Sequence, residues 1–248
     1  MKALILAAGY AVRLYPLTKQ YPKPLLKLGN KAIIDYIIDK IECLDEIDEV
    51  IIVTNSKYFS VFKKWAAKKK TAKKISLIDD LTSTPQDKRG AIGDMDFSIN
   101  AAKIEDDLLV IGGDNLFKGS LRDFLSFTKK IKTYPVIGIY DIKDLGQADK
   151  YGVIRLNKEN KIIDFKEKPK VPESSLVAMC LYYFPKSKLK LIKKYLDSKK
   201  NKSDATGFYI DWLSRNYSVY GFVFKEQWYD IGDHGFLNKA KEEFINKL

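Results

Sequence analysis

Apolar residues along the chain fall into two alternating rhythms. Lys2–Leu6 is a short apolar run that breaks into Ala-Ala-Gly, the pattern of a buried strand emptying into a loop. Ala32–Leu44 places Ile33, Ile34, Ile37, Ile38 and Ile41 on one face of a helix. Val50–Thr54 is a β-branched strand, Val61–Lys70 is helical in pattern, and Ile75–Ile78 is again a strand. The alternation continues with a helix at Ile92–Ala102, a strand at Leu108–Ile111 stopped by Gly112-Gly113-Asp114, a helix at Leu121–Lys130 and a strand at Pro135–Tyr140. Gly152–Leu156 and Lys161–Phe165 read as a hairpin about Asn157–Asn160. A strand at Leu176–Phe184, helices at Ser187–Leu196 and within Asp204–Asn216, a strand at Tyr217–Phe224 and a closing helix at Gly235–Asn246 complete the pattern.

Repeated β-α alternation predicts a largely parallel sheet with helices on both faces, and the later hairpins make it a mixed sheet. No linker rich in Gly, Ser or Pro interrupts the 248 residues, so a single domain over residues 1–248 is expected. Ligands in such folds sit beyond the carboxyl ends of the strands, which singles out the loops after Leu6 and after Ile111.

Composition narrows the field. Apolar residues make up 46% of the chain and charged residues 31%, as in a soluble globular protein. No apolar run approaches the roughly 20 residues that span a bilayer. The N-terminus lacks the apolar stretch of a signal peptide. Two cysteines, Cys43 and Cys180, make a disulfide framework or zinc site improbable and fit a reducing cytoplasm. His234, the single histidine, excludes His-rich metal sites and argues against a Ser-His-Asp hydrolase; it reads as a packing or hydrogen-bonding residue. The net charge of +12 rests on lysine, with Arg only at 13, 89, 122, 155 and 215. Nucleic-acid readers favour Arg for bidentate contacts, so the lysine runs read as solvated faces, with no nucleic-acid partner expected.

Five clusters bear on chemistry. In LILAAGYAVRLYPLTKQYPKPLL, residues 4–26, small side chains let backbone N–H groups approach phosphate oxygens, and Arg13 and Lys23 add positive charge. Lys23 lies between Pro22 and Pro24, which restrict the backbone on both sides. Phosphoryl transfer needs this combination of oriented amides and cations. The same residues also suit a plain βα turn with surface cations. The segment is not a P-loop, because no Gly-Lys-Ser/Thr follows, nor a dinucleotide fingerprint, whose later glycines are missing. In LLVIGGDNLF, residues 108–117, Asp114 at the end of a buried strand suits a magnesium ligand and also suits ordinary turn chemistry. QWYDIGDHGFL (227–237), DFKEKP (164–169) and RGAIGD (89–94) are less telling by themselves.

Together these segments resemble the signature of the sugar-1-phosphate nucleotidyltransferases, or NDP-sugar pyrophosphorylases. That pattern is roughly L-A-A-G-x-G-T-R-L-x-P-L-T, then P-K-P-L-L and a helix, matched from Leu6 through Tyr36. The resemblance implies a three-layer α/β/α fold with a mixed, mostly parallel sheet, the Rossmann-like nucleotide-diphospho-sugar transferase fold. It implies transfer of NMP from an NTP to a phosphorylated small-molecule acceptor. Arg13 and Lys23 would neutralise the triphosphate and transition state. Leu6, Ala8 and Gly9 would line the nucleotide, and Gly90 would meet the nucleobase. Asp114 and Asp230, the latter in W-x-D-x-G, would hold Mg2+. Glu167 would bind sugar hydroxyls, Lys168 the acceptor phosphate, and Gly152 would let the sugar approach the backbone. No membrane partner is implied, and assembly into a homo-oligomer stays open.

The chain departs from the pattern at Ala11 (usually Gly) and Val12 (usually Thr or Ser). If residue 11 needs a positive φ, Ala costs roughly 1–2 kcal/mol there. Met179 and Cys180 stand where Thr-Gly or Ser-Gly usually faces the sugar, which predicts a smaller, drier acceptor pocket. Pro85 occupies the place of a base-reading Gln, leaving Thr82, Ser83 and Thr84 as candidates. Two rivals follow: a cytidylyltransferase for a non-sugar phosphate such as phosphocholine, and a nucleotide-binding paralogue with weak activity.

Overall fold

A computed structural model describes residues 1–198, 201–232, 235, 237, 238 and 240. In chain order the elements are β1 (Lys2–Leu6), β2 (Lys27–Leu28), β3 (Lys31–Ala32), α1 (Ile33–Glu42), β4 (Glu49–Thr54), α2 (Ser56–Ala66), β5 (Lys74–Asp79) and α3 (Ala91–Ala101). There follow β6 (Leu108–Gly112), β7 (Asn115–Phe117), α4 (Leu121–Ile131), β8 (Val136–Asp141), β9 (Gly152–Leu156), β10 (Ile162–Glu167) and β11 (Leu176–Phe184). The last are α5 (Lys190–Leu196), α6 (Thr206–Asn216), β12 (Tyr220–Phe224) and β13 (Trp228–Asp230). His234 and most of the expected closing helix lie outside the described residues.

The main sheet runs β10-β9-β11-β6-β1-β4-β5, with β8 beside β11 and β12 beside β8. Its β6-β1-β4-β5 portion is parallel, and β11 enters antiparallel to β6. Strand alternation divides the core into two. On one face Ala3, Ile5, Val50, Ile52, Leu109 and Ile111 pack against α1, α2 and α4. On the other, Leu4, Ile51, Val53, Leu108 and Val110 pack against α3, α5 and α6. The expected three-layer mixed sheet is therefore present.

Three local differences from the sequence reading have physical causes. Helix α2 begins at Ser56, not Val61, because the Asn55 side chain accepts from Tyr58 N at 3.1 Å and caps it early. The tract expected as a helix from Ser187 opens with a short 3-10 turn, Lys186–Lys188, before α5. Strand β12 starts at Tyr220, not Tyr217. The small pairs β2–β3 and β7–β13 have too few residues to show periodicity, and β7–β13 joins segments far apart in sequence.

Strand β11 carries a bulge. Ala178 pairs with Ile139 and Tyr182 with Ile137, so three residues of β11 face one of β8. Cys180 lies in that interval at φ 51°. The bulge sits beside the carboxyl end of β6, where ligands are expected.

Asn55 also donates from Nδ2 to the Ala8 carbonyl at 2.8 Å and is fully buried. It thus ties the loop after β1 to the start of α2. Replacing it by Ala removes a helix cap and strands a buried carbonyl. Asn55→Ala is expected to lower unfolding stability by about 2–3 kcal/mol in urea titrations, and a loss under about 0.5 kcal/mol would show that this tie is dispensable.

Candidate active site

Strands β1 and β6 are neighbours in register, so the loops that follow them emerge side by side. Gly113 N donates to Leu6 O at 2.8 Å and holds the two loops together. Leu6, Ala7, Gly9, Ala11, Lys23, Pro24 and Asp114 line a cavity of about 100 Å³. Small side chains make this a surface of exposed backbone, as expected for a phosphate-binding loop. Ala11 adopts φ 46°, ψ 46° and starts the 3-10 turn Val12–Leu14. The positive φ anticipated for position 11 is therefore required, and Ala bears its cost. Thr18 Oγ1 donates to Ala11 O at 2.7 Å and helps to hold that conformation. Val12 is 52% exposed, so its missing hydroxyl deprives no buried partner.

Lys23 opens a second 3-10 turn, Lys23–Leu25, with Pro22 capping it and Pro24 buried behind it. Its ammonium forms an ion pair with Asp114 and donates to Ile231 O at 2.8 Å. One side chain thus joins the end of β6 to the segment after β13. Asp230 ends β13, opposite Asn115 of β7. Burial, and next the charge of Asp114, hold Asp230 well above the usual carboxylate range; Lys23, Arg13 and Lys168 oppose this. Arg13, Lys23, Asp114 and Lys168 thus all act electrostatically on Asp230.

A larger cavity, about 150 Å³, opens on the other side of Asp114. Gly152, Glu167, Lys168, Met179, Cys180, Trp228 and Asp230 are among its walls, as are Lys150, Thr206 and Gly207. Glu167 ends β10 and lies in a slot between two glycines. A Cβ at Gly207 would collide with its carboxylate, and one at Gly152 would collide with the Phe165 ring. Burial raises the Glu167 carboxyl above its ordinary value. Lys168 follows at φ 48°, its N–H bonded to Tyr151 O at 2.9 Å. Met179 is 1% exposed, and burial pushes the Cys180 thiol up to about 12. Cys180 is thus a neutral wall group and not a nucleophile.

Gly90 lies elsewhere, at the cap of α3 with φ 77°. A Cβ there would fall 2.5 Å from Ser203 O, so the glycine lets α3 abut the backbone before α6. Thr82, one of the expected base readers, is 4% exposed and belongs to a buried polar chain whose other members sequence reasoning missed. Thr82 Oγ1 donates to Asp80 at 2.8 Å, so Tyr10 OH, 3.1 Å away, donates to Thr82. Asp94 in the first turn of α3 carries a proton towards Asp80, and its Oδ1 has no partner. Asp80 and Asp94 are 1% and 6% exposed. Asn55, Asn115, Thr206 and Gly207 were also missed, because each acts through contacts distant in sequence, and so was Lys150 in the wall of the larger cavity.

The profile of the Nucleotidyl transferase family matches residues 2–247. The chain belongs to that family. It is 29% identical over 253 residues to the bifunctional protein GlmU of Methanocaldococcus jannaschii, covering all of this chain and 55% of that protein. A glucose-1-phosphate adenylyltransferase of Clostridium novyi is 26% identical over 99% of this chain and 67% of its own length. The chain spans about half the length of the GlmU relatives. In fold it is similar to a UDP-glucose pyrophosphorylase solved with UDP-glucose, at TM-score 0.81 and 22% identity over 100% of this chain and 99% of that one. No helix among the described residues is long and apolar enough to cross a membrane.

The Asp80–Asp94 pair makes stability depend on pH. Burial, and next Asp80, raise Asp94 from 3.8 to about 8 on folding. Between those values the folded protein holds a proton that the unfolded chain has released, so stability falls as pH rises through the window. Asp94→Asn can donate to Asp80 without titrating. Its urea midpoint is expected to vary less from pH 5 to 9 than that of the natural protein; equal slopes would exonerate Asp94.

Proposed function

We propose that this protein, as one domain over residues 1–248, transfers a nucleoside monophosphate from an NTP to a sugar 1-phosphate. The products are an NDP-sugar and pyrophosphate. The observation that carries this reading is that two cavities of different character share Asp114. One is bounded by bare backbone and Lys23, suited to a triphosphate. The other offers a carboxylate for hydroxyls and a lysine for a phosphate. A glucose-1-phosphate adenylyltransferase among the relatives and a UDP-glucose pyrophosphorylase among the similar folds favour a sugar 1-phosphate over phosphocholine.

The acceptor phosphate needs no protein base, since its second pKa, near 6, leaves it largely dianionic at pH 7. Its oxygen attacks the α-phosphorus in line; that O–P bond forms as the bond to the pyrophosphate oxygen breaks. Lys23 and Arg13 spread the charge gathering on the α-phosphate and the leaving group. Lys168 holds the attacking phosphate, Glu167 accepts from sugar hydroxyls, and Gly152 admits the ring. Leu6, Ala8 and Gly9 support the nucleotide, with Gly90 near its base. Catalysis is then positioning plus electrostatics.

Asp114 and Asp230 fit Mg2+. Burial, and next the charge of Asp114, raise Asp230, and a bound cation would relieve both; two carboxylates with phosphate oxygens and water suit this ion. Once bound, Mg2+ would neutralise charge on the phosphates. A consumer of free NTP fits a cytoplasmic setting.

Pyrophosphate release, measured across the four NTPs against glucose 1-phosphate and phosphocholine, tests the reaction. Release with the sugar phosphate and not with phosphocholine is expected; the reverse supports the rival substrate. Asp114→Asn and Asp230→Asn should each lower kcat by at least about 100-fold at saturating Mg2+. Near-natural turnover in either would remove that residue from the ion. Lys23→Ala should act chiefly on kcat, and Lys168→Ala chiefly on acceptor KM. If both shift only the NTP KM, this division of roles is wrong.

A further inference from the structure

The loop from Ala8 to Ala11 is held at both ends from one place, the start of α2. At the near end Asn55 Nδ2 donates to Ala8 O at 2.8 Å. At the far end Ala11 O accepts from Leu14 N at 2.9 Å and from Thr18 Oγ1 at 2.7 Å, which fills both acceptor positions of that carbonyl. Thr18 is fully buried, and its own carbonyl accepts from Tyr58 OH at 2.6 Å. Tyr58 is also buried and stands in the first turn of α2, three residues after the capping Asn55. Tyr10, between the two held carbonyls, rests its ring 6.2 Å from that of Tyr58.

A peptide unit is planar and trans, so its N–H points opposite to its C=O. Holding Ala8 O and Ala11 O therefore fixes the directions of the Gly9 and Val12 N–H groups. Gly9 and Ala11 line the smaller cavity. Ala11 has φ 46° and ψ 46°, a conformation that a residue with a Cβ keeps only where its surroundings enforce it. The two bonds to its carbonyl differ in kind. The one from Leu14 closes the 3-10 turn and so follows from the conformation. The one from Thr18 comes from outside the turn and has a buried tyrosine behind it.

We propose that Thr18, braced by Tyr58, is a positioning residue for the nucleotide, because it enforces the left-handed conformation of Ala11 and so presets the backbone of the phosphate-binding loop. Neither side chain is among the walls of either cavity, so both act through Ala11. This rests on the assignment of the smaller cavity to the triphosphate. Ala11 does not line the larger cavity, so the brace acts on NTP binding and leaves acceptor binding alone.

Calorimetry of the four NTPs, each with Mg2+, identifies the one that binds most tightly, and the variants are compared with it. Thr18→Val keeps the shape and loses the donor, and should weaken NTP binding about tenfold or more. Thr18→Ser keeps the hydroxyl and should stay within about threefold of the natural protein. Tyr58→Phe removes only the brace and should fall between. The decisive comparison is a cycle with Ala11→Gly. Glycine takes a positive φ without strain, so in that background Thr18→Val and Tyr58→Phe should each cost less than about threefold. Acceptor KM should change less than about threefold in Thr18→Val and Tyr58→Phe. Natural NTP affinity in Thr18→Val overturns the proposal, as does a loss in Thr18→Ser as large as in Thr18→Val. Equal losses with and without Ala11→Gly also overturn it, and Tyr58→Phe carries that cycle if Thr18→Val fails to fold. If no NTP binds the natural protein, the proposed reaction and the brace fail together, whereas NTP binding that ignores these substitutions sinks the brace alone.

Discussion

Bringing Asp114 and Asp230 together sets like charges against each other in a poorly solvated place, and an ammonium group offsets this. Lys23 contacts Asp114 and the carbonyl that follows Asp230, so one side chain neutralises and also tethers. Much of the surrounding structure can be read as support for that arrangement. Prolines on either side set the backbone of Lys23, the parallel register of β1 and β6 brings Asp114 to the small-residue loop, and the β7–β13 ladder delivers Asp230. Removal of the lysine would leave two partly buried carboxylates without this counter-charge, a loss larger than that of a fully exposed ion pair.

Some of the backbone strain falls at the same place, although Leu81, Lys103, Lys132, Lys143 and Asn160 carry positive φ elsewhere. Ala11, Lys168 and Cys180 have positive φ without being glycine, and each lines one of the cavities. Residues in such conformations persist where neighbours over-determine them, and here the neighbours can be named. Thr18 holds Ala11, the Tyr151 carbonyl holds Lys168, and Asn115 holds the bulge at Cys180. The two glycines around Glu167 work in the opposite sense, making room where any side chain would intrude.

Much of this was visible in the amino-acid pattern, and the reason is physical. Runs such as Val50–Thr54 and the isoleucine face of α1 answer to burial, a local demand that leaves a periodic trace. The residues expected to line the two cavities announced themselves because phosphate and metal chemistry restrict residue type within a few positions of a strand end. The rest depends on contacts across the fold. Nothing near Asn115 signals Trp228 or Met179, and nothing near Asp94 signals Asp80; these pairs exist only once helix and sheet have packed. Gly90 shows the limit from the other side. A glycine was expected there, yet in this structure it also has a packing cause, the backbone at Ser203.

The pairing of β7 with β13 has a consequence for how the molecule comes into being. In sequence Asp114 and Asp230 are separated by β8 to β12, and the strand bearing Asp230 is the last among the described residues. Synthesis proceeds from the N-terminus, and long-range pairings form later than local ones because loop closure must come first. A nascent chain ending before β13 can already hold the small-residue loop, Lys23 and Asp114, with the positive charge poised and half of its counter-charge absent. The second carboxylate arrives only when β13 docks, so the charge cluster is completed after the strands that precede it.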